Sequence, residues 1–212
     1  MLVVVATSSC GGNRPDPAVV LVFDGLTIRL EEVEPYVRFL DGFVPEGGRK
    51  AKVQRALEEH LIPMRLAQRA FAAERAAQLA EARALCQVAS NAAELEQHAR
   101  ALKEQRRAHF PRLHSKLPIA MFLFEPMNLG AVSPPIEVPE GWSVVAGFDM
   151  RSGPLALDDS VDALQVAFFT HNGRDWTEWL AAEKLRVADT VTYVHPDYVH
   201  ALPDWLHPPK HP

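Results

Sequence analysis

Asn128 to Val145 reads NLGAVSPPIEVPEGWSVV, and this stretch decides the fold class. A pair of small residues, Gly130 and Ala131, comes first. Val132-Ser133-Pro134-Pro135-Ile136 follows as a short extended run, since β-branched residues and residues next to proline favour extended backbone. Pro139-Glu140-Gly141 supplies a turn, and Trp142-Ser143-Val144-Val145 returns as a second strand. The stretch is therefore a β-hairpin set in a largely helical chain. The expected class is mainly α with small β elements, an α+β architecture.

Working toward the N-terminus, residues 49–110 are predicted helical. Ala, Glu, Arg and Gln dominate from Arg65 to Phe110, and these residues have strong helix propensities. Val53, Leu57, Leu61, Met64 and Leu66 form an apolar stripe of helical period. Pro63 removes a backbone donor and crowds the preceding turn, so a kink is expected near His60–Ile62. Ser90-Asn91 favours a cap and predicts a break. Ala-rich faces pack closely, which predicts an antiparallel helical hairpin. Further upstream, VVLVF-Asp24-Gly25-LTI reads as a tight hairpin. The helix opened by Arg29-Leu30-Glu31-Glu32 should turn Val33, Val37, Phe39 and Leu40 inward. Phe43–Gly48 is a loop, and Gly11–Ala18 reads as a tether.

Toward the C-terminus, Leu117–Phe124 is apolar and short enough for a helix or a strand. Arg151–Asp158 is a linker, and Val161–Thr170 is a buried strand or short helix. Asp175, with Glu178 three residues on, has the spacing of a capping box for a helix through Ala188. Thr190–Tyr198 alternates as a strand.

The chain has 212 residues, enough for a real hydrophobic core. Its formal net charge of -5 gives no electrostatic reason to expect nucleic acid. G-x-S-x-G, P-loop and Rossmann patterns do not occur, which removes the common hydrolase and nucleotide-binding signatures. No cofactor is implied. Nine histidines invite a metal site. However, His195 and His200 are five apart across Pro196, which suits no helix face and no familiar ligand spacing, so no metal site is expected. Cys86, among Ala84, Leu85 and Val88, reads as a small buried apolar residue.

Three segments carry resemblances. Met1–Ala6 is apolar, and Thr7-Ser8-Ser9-Cys10-Gly11-Gly12 follows it. This resembles a bacterial lipoprotein signal with Cys10 as the lipidated residue, although Thr7 stands where that signal usually has leucine. The hairpin at 128–149 resembles the closing hairpin of the parvulin-type (PpiC) peptidyl-prolyl isomerases, with the glycines, Ser133 and Pro135 in register. The order strand, Asp-Gly turn, strand and acidic helix start at 19–40 resembles the N-terminal module of SurA-like periplasmic chaperones. Asp24, Gly25, Ile28, Glu32 and Val33 match that pattern. The family also implies a C-terminal helix and short strand that pack back on the N-terminal helices.

The resemblance implies four segments. They are a signal and tether at 1–18, a SurA-like hairpin and helices at 19–110, a shortened parvulin-like segment at 111–150, and a closing helix, strand and Pro-rich tail at 151–212. It further implies a periplasmic protein, lipid-anchored to the outer membrane. Such a protein binds unfolded or partly folded envelope polypeptides, or one dedicated partner. The family's catalytic histidine falls on Ser143, so chaperone-type binding without prolyl turnover is expected. His109 and His114 are the candidate remnants of the histidine pair. Met121, Phe122, Phe124, Trp142 and Trp205 are the candidate peptide contacts. Two other readings stand beside this one. The first is an active isomerase built on His109, His114 or Met121. The second is a structural lipoprotein subunit of an envelope complex.

Overall fold

The computed structural model describes residues 16–44, 46, 48–102, 105–171 and 173–208. Cys10 and the lipoprotein signal lie outside them. The architecture is α+β, with seven α-helices and two antiparallel sheets among the described residues.

The chain starts with β1 (Val19–Phe23) and β2 (Leu26–Arg29), joined at Asp24-Gly25. Both turn residues have positive φ, 48° and 73°. That backbone matches the right-handed twist of the paired strands, and glycine adopts it without a steric penalty. α1 (Leu30–Asp41) follows at once and buries Val33, Val37 and Leu40. Glu32 reaches back to the Arg29 N–H at 2.9 Å, supplying an acceptor to an otherwise orphaned donor at the helix start. The Asp24 carboxylate pairs with Arg69 at 2.5 Å and Arg186 at 2.7 Å. These partners, Arg186 first, hold its pKa below the usual carboxylate value.

α2 (Arg49–Ala56) and α3 (Ile62–Ala70) form one helix interrupted by a π turn, Leu57–Leu61. The expected disruption by Pro63 takes this form. Ile62 N–H reaches back five residues to Leu57 O, and the wider turn accommodates the ring that a regular helix would crowd. The π turn points Leu57, His60 and Leu61 inward and leaves Glu59 exposed.

α4 (Ala72–Val88) and α5 (Ala92–Ala99) break where expected, with Asn91 Oδ1 accepting from Glu94 N–H at 3.0 Å. Ala82, Leu85, Ala92, Leu95 and Ala99 of these two helices pack on Val144, Ala146, Leu164 and Val166 of a sheet. Their small side chains bring helix close to sheet rather than helix close to helix.

A correction concerns the end of the predicted helical run. Gln105–Pro111 is a strand, β3, and not the tail of a helix. It pairs along its whole length with β6 (Ser160–Phe169). That ladder and the burial of Phe110 override the local helix preference of Gln, Arg and Ala.

After β3 come α6 (Leu117–Leu123), β4 (Ile136–Val138) and β5 (Gly141–Arg151). The quoted hairpin is β4–β5, but its first strand is shorter and later than the extended run at 132–136. Pro134 and Pro135 lack donors, so before β4 the chain joins β5 through scattered contacts rather than a ladder: the Val132–Ala146 and Leu129–Gly147 bridges, Gly130 N–H to Gly147 O, and Ser133 N–H to Val145 O. Gly141 opens β5 with φ +153°. A side chain there would meet the Phe168 carbonyl at 2.2 Å, so the turn needs glycine. The sheet order is β3-β6-β5-β4. It draws strands from 105 to 169, beyond the 111–150 hairpin segment on both sides.

α7 (Gly173–Val187) starts two residues before the expected cap. Asp175 lies in the first turn, and Glu178 pairs with Arg174 at 2.6 Å rather than closing a capping box. β7 (Val191–Val194) adds to β1, giving the order β2-β1-β7. One core joins the two ends of the chain. Val20, Phe23, Ile28, Leu61 and Leu66 pack with Val187, Val191, Tyr198, Leu202 and Leu206. The terminal unit and the four-stranded sheet unit meet through Leu40, Phe43, Ala56 and Leu117.

Candidate functional site

Ser143 lies on β5, on the sheet face covered by α6, and is fully buried. Its Oγ accepts from Gln165 Nε2 at 2.8 Å. Ser133 is buried too, and its Oγ accepts from Val145 N–H at 2.9 Å. Both serines are committed to holding the sheet edge and neither reaches solvent. His109 is exposed. Its strand neighbours Ala108 and Phe110 pack on the α6 face, so His109 projects from the opposite face, across from Asp162. His114 is exposed in the loop after β3. The structure does not bring His109, His114 and Ser143 together.

The candidate peptide contacts are also dispersed. Phe122 and Phe124 pack in the α6 core, with the Arg112 guanidinium 4.6 Å from the Phe124 ring. Met121, beside them on α6, is half-buried. Trp142 lies on the other sheet face, where its indole N–H donates to Arg75 O at 3.0 Å. Trp205 belongs to the terminal core. No single groove contains them.

Substituting Ser143→His is therefore expected to lower stability by about 1–3 kcal/mol, the usual range for overpacking a closed core. It is expected to generate no prolyl turnover, because the new imidazole has no solvent-facing partner histidine. Urea unfolding and a proline-peptide isomerisation assay on the purified variant check both outcomes.

A different set of residues does converge. A cleft of about 440 Å³ opens between the two units. Glu58 and Glu59 come from the π turn, with Pro63 just beyond it. Lys116 precedes α6, and Pro139-Glu140 forms the β4–β5 turn. Trp176, Leu180 and Lys184 complete the lining. They are four residues apart on α7, so they form one stripe of the helix. Arg55, Glu59, Leu113 and His114 line a further hollow that shares Glu59 with the cleft.

Behind the cleft the junction is polar and well connected. Arg75 is only 5 % exposed. It donates to Pro139 O at 2.8 Å, Val138 O at 3.1 Å and Glu137 Oε1 at 2.9 Å. The same Glu137 oxygen accepts from Gln68 Nε2 at 2.9 Å. His60 is buried, with its ring edge-on to Tyr36 at 4.9 Å. Burial, with smaller contributions from Lys116 and Arg75, lowers the His60 pKa to about 3. Burial, reinforced by Glu137 and Glu32, raises the Tyr36 hydroxyl to about 12.

Of the cleft-lining residues the sequence singles out Trp176, one of an aromatic set with Trp179, Tyr193, Tyr198 and Trp205 that suits either core packing or a polypeptide groove. A second signal is the i, i+4, i+8 spacing of Trp176, Leu180 and Lys184. Cys86 is half-buried, and burial raises its pKa, which keeps the thiol protonated. Among the described residues no three His, Cys, Asp or Glu side chains converge on a metal-sized site, and no helix is long and apolar enough to cross a membrane. The chain matches no protein-family model, no curated protein and no solved structure.

Proposed function

We propose that the chain is an extracytoplasmic SurA-like protein that binds unfolded or partly folded envelope polypeptides and does not turn over prolyl bonds. The observation that carries this reading is the cleft at the junction of the two units. It combines apolar walls (Pro63, Pro139, Trp176 and Leu180) with charged rims, and it opens to solvent. Such mixed linings suit extended polypeptide, whose side chains alternate between buried and solvated positions. The burial of Ser143 and the opposed placement of His109 support the absence of isomerase chemistry. The terminal core, in which the last strand and tail close over the first hairpin, supports the chaperone-module resemblance at 19–40. Lipid anchoring in the periplasm through Cys10 belongs to the same proposal and rests on the sequence around that cysteine.

Two assays test it. The full chain is expected to suppress aggregation of a chemically unfolded outer-membrane protein as that protein is diluted from denaturant. It is also expected to leave the cis-to-trans rate of a proline test peptide at its uncatalysed value. Unhindered aggregation sinks the binding role. Robust acceleration of the peptide that is lost on changing His109 or His114 restores the isomerase alternative.

A further inference from the structure

We propose that the free edge of β3 receives an extended segment of unfolded polypeptide as an added strand. The polypeptide-binding reading supplies the class of occupant, and the site is separate from the cleft.

β3 stands at the end of the order β3-β6-β5-β4, so it pairs on one side only. It is seven residues long and keeps one register with β6 from Gln105 to Pro111. In an antiparallel ladder alternate residues turn their N–H and C=O groups away from the partner strand. Along Gln105–Phe110 those outward groups receive no bond from any turn or loop among the described residues. Gln105, Arg106, Arg107 and His109 are exposed, so the edge meets solvent. The other edges are shorter or occupied. β4 has three residues, and Arg75 holds its Val138 carbonyl at 3.1 Å. β2 and β7 have four residues each, and their pairing with β1 shifts register within that length.

Exposed edges are ordinarily guarded by proline, by bulges or by charged side chains in the path of a second strand. Proline enters β3 only at its last residue. Its two arginines are drawn back over the protein. Arg107 reaches across β6, where its guanidinium lies 4.3 Å from the centroid of the Phe148 ring on β5 and donates to Glu96 at 2.8 Å. Arg106 lies over the Phe110 ring of its own strand at 5.8 Å. Both guanidinium groups are thus held over rings of this chain, which leaves the backbone edge open.

An open row of backbone donors and acceptors recognises one chemistry, an extended main chain, and main-chain bonds give affinity without reading side chains. That suits unfolded segments of many sequences. A second copy of the chain fits less well. Antiparallel pairing of β3 with itself would crowd the arginines of both copies along one short ladder, where like charges destabilise.

The test uses the full chain and a labelled peptide of alternating threonine and valine, matched to β3 in length, with a lysine at each end. A second peptide has the same sequence with its backbone N-methylated. Fluorescence anisotropy is expected to show binding of the first and a loss of about tenfold for the second, which offers no N–H donors. Amide hydrogen exchange locates the contact. In the free chain alternate amides of Gln105–Phe110 are expected to exchange fast, and filling most sites with the unmethylated peptide is expected to slow them about tenfold. Peptide binding with unchanged exchange along β3 overturns the edge site and leaves binding through the cleft standing. Protection of the same amides without peptide, rising with protein concentration, assigns the edge to a second copy and overturns the proposal. Absence of any peptide binding also overturns the edge site, and suppression of aggregation then decides the wider reading on its own.

Discussion

Replacing Arg75 by methionine is expected to lower the unfolding free energy by about 3–5 kcal/mol, the range for removing one partner from a buried charged network. The side chain is almost fully buried and bonds two carbonyls and one carboxylate of the β4–β5 turn. Methionine fills much of the volume but donates nothing. Val138 O and Pro139 O would lose their side-chain donor, and Glu137 would keep only Gln68. The Arg75 backbone carbonyl also receives the Trp142 indole, so a shift of α4 would disturb packing on the far sheet face. Arg75→Lys should recover only part of the loss, because one ammonium cannot reproduce a planar fork spread over three acceptors. Urea unfolding of the three proteins decides the point. A loss below about 1 kcal/mol would mean that the turn is held by β-ladder bonds alone.

The second large effect is a dependence on acidity. His60 is buried and neutral in the folded chain, with its pKa lowered to about 3, whereas an exposed histidine titrates near about 6.5. Above that value the imidazole is neutral in both states and contributes no pH dependence. Between about 6.5 and 3 only the unfolded chain takes up the proton, so stability falls with pH by up to about 1.4 kcal/mol per unit. The accumulated loss approaches roughly 4 kcal/mol at the acid end. Carboxylates titrate in the lower part of the same window, so the informative quantity is a difference. His60→Gln should flatten the curve between pH 6.5 and 4.5 relative to the parent chain. Parallel curves would show that His60 is hydrated and charges freely in the folded state.

Features set by neighbouring residues were legible in the sequence, and features set by distant pairing were not. Asp24-Gly25 announces its hairpin because both residues tolerate positive φ. Asn91 announces a helix start because its side chain caps the next turn. Pro63 announces a disturbance, though not that a π turn absorbs it. β3 was hidden because Arg106 and Arg107 are exposed and the pattern shows no clean alternation, while its partners, such as Val166 opposite Gln105, lie far along the chain. The Ala-rich helices were recognised, but nothing local distinguishes a face that meets another helix from one that meets a sheet. The cleft was the least legible feature of all. Its lining comes from the π turn, the α6 loop, the β4–β5 turn and α7, and none of these carries a motif of its own. The resemblance singled out Ser143, and the sequence could not show that Gln165 holds it inside the sheet.

The pairing of β7 with β1 fixes an order of events during synthesis. Leu21 finds its partner only when Val194 has been made, near the end of the chain. Until then β1 presents an unpaired edge, and the terminal core lacks Val187, Val191, Tyr198 and Leu206. The intervening sheet, whose strands all lie between 105 and 169, can close first, since its loops are shorter and its partners appear earlier. The terminal core therefore stays incomplete until β7 and the segment through Leu206 have been made. A truncation before Val191 would leave the first hairpin permanently open to association with other strands.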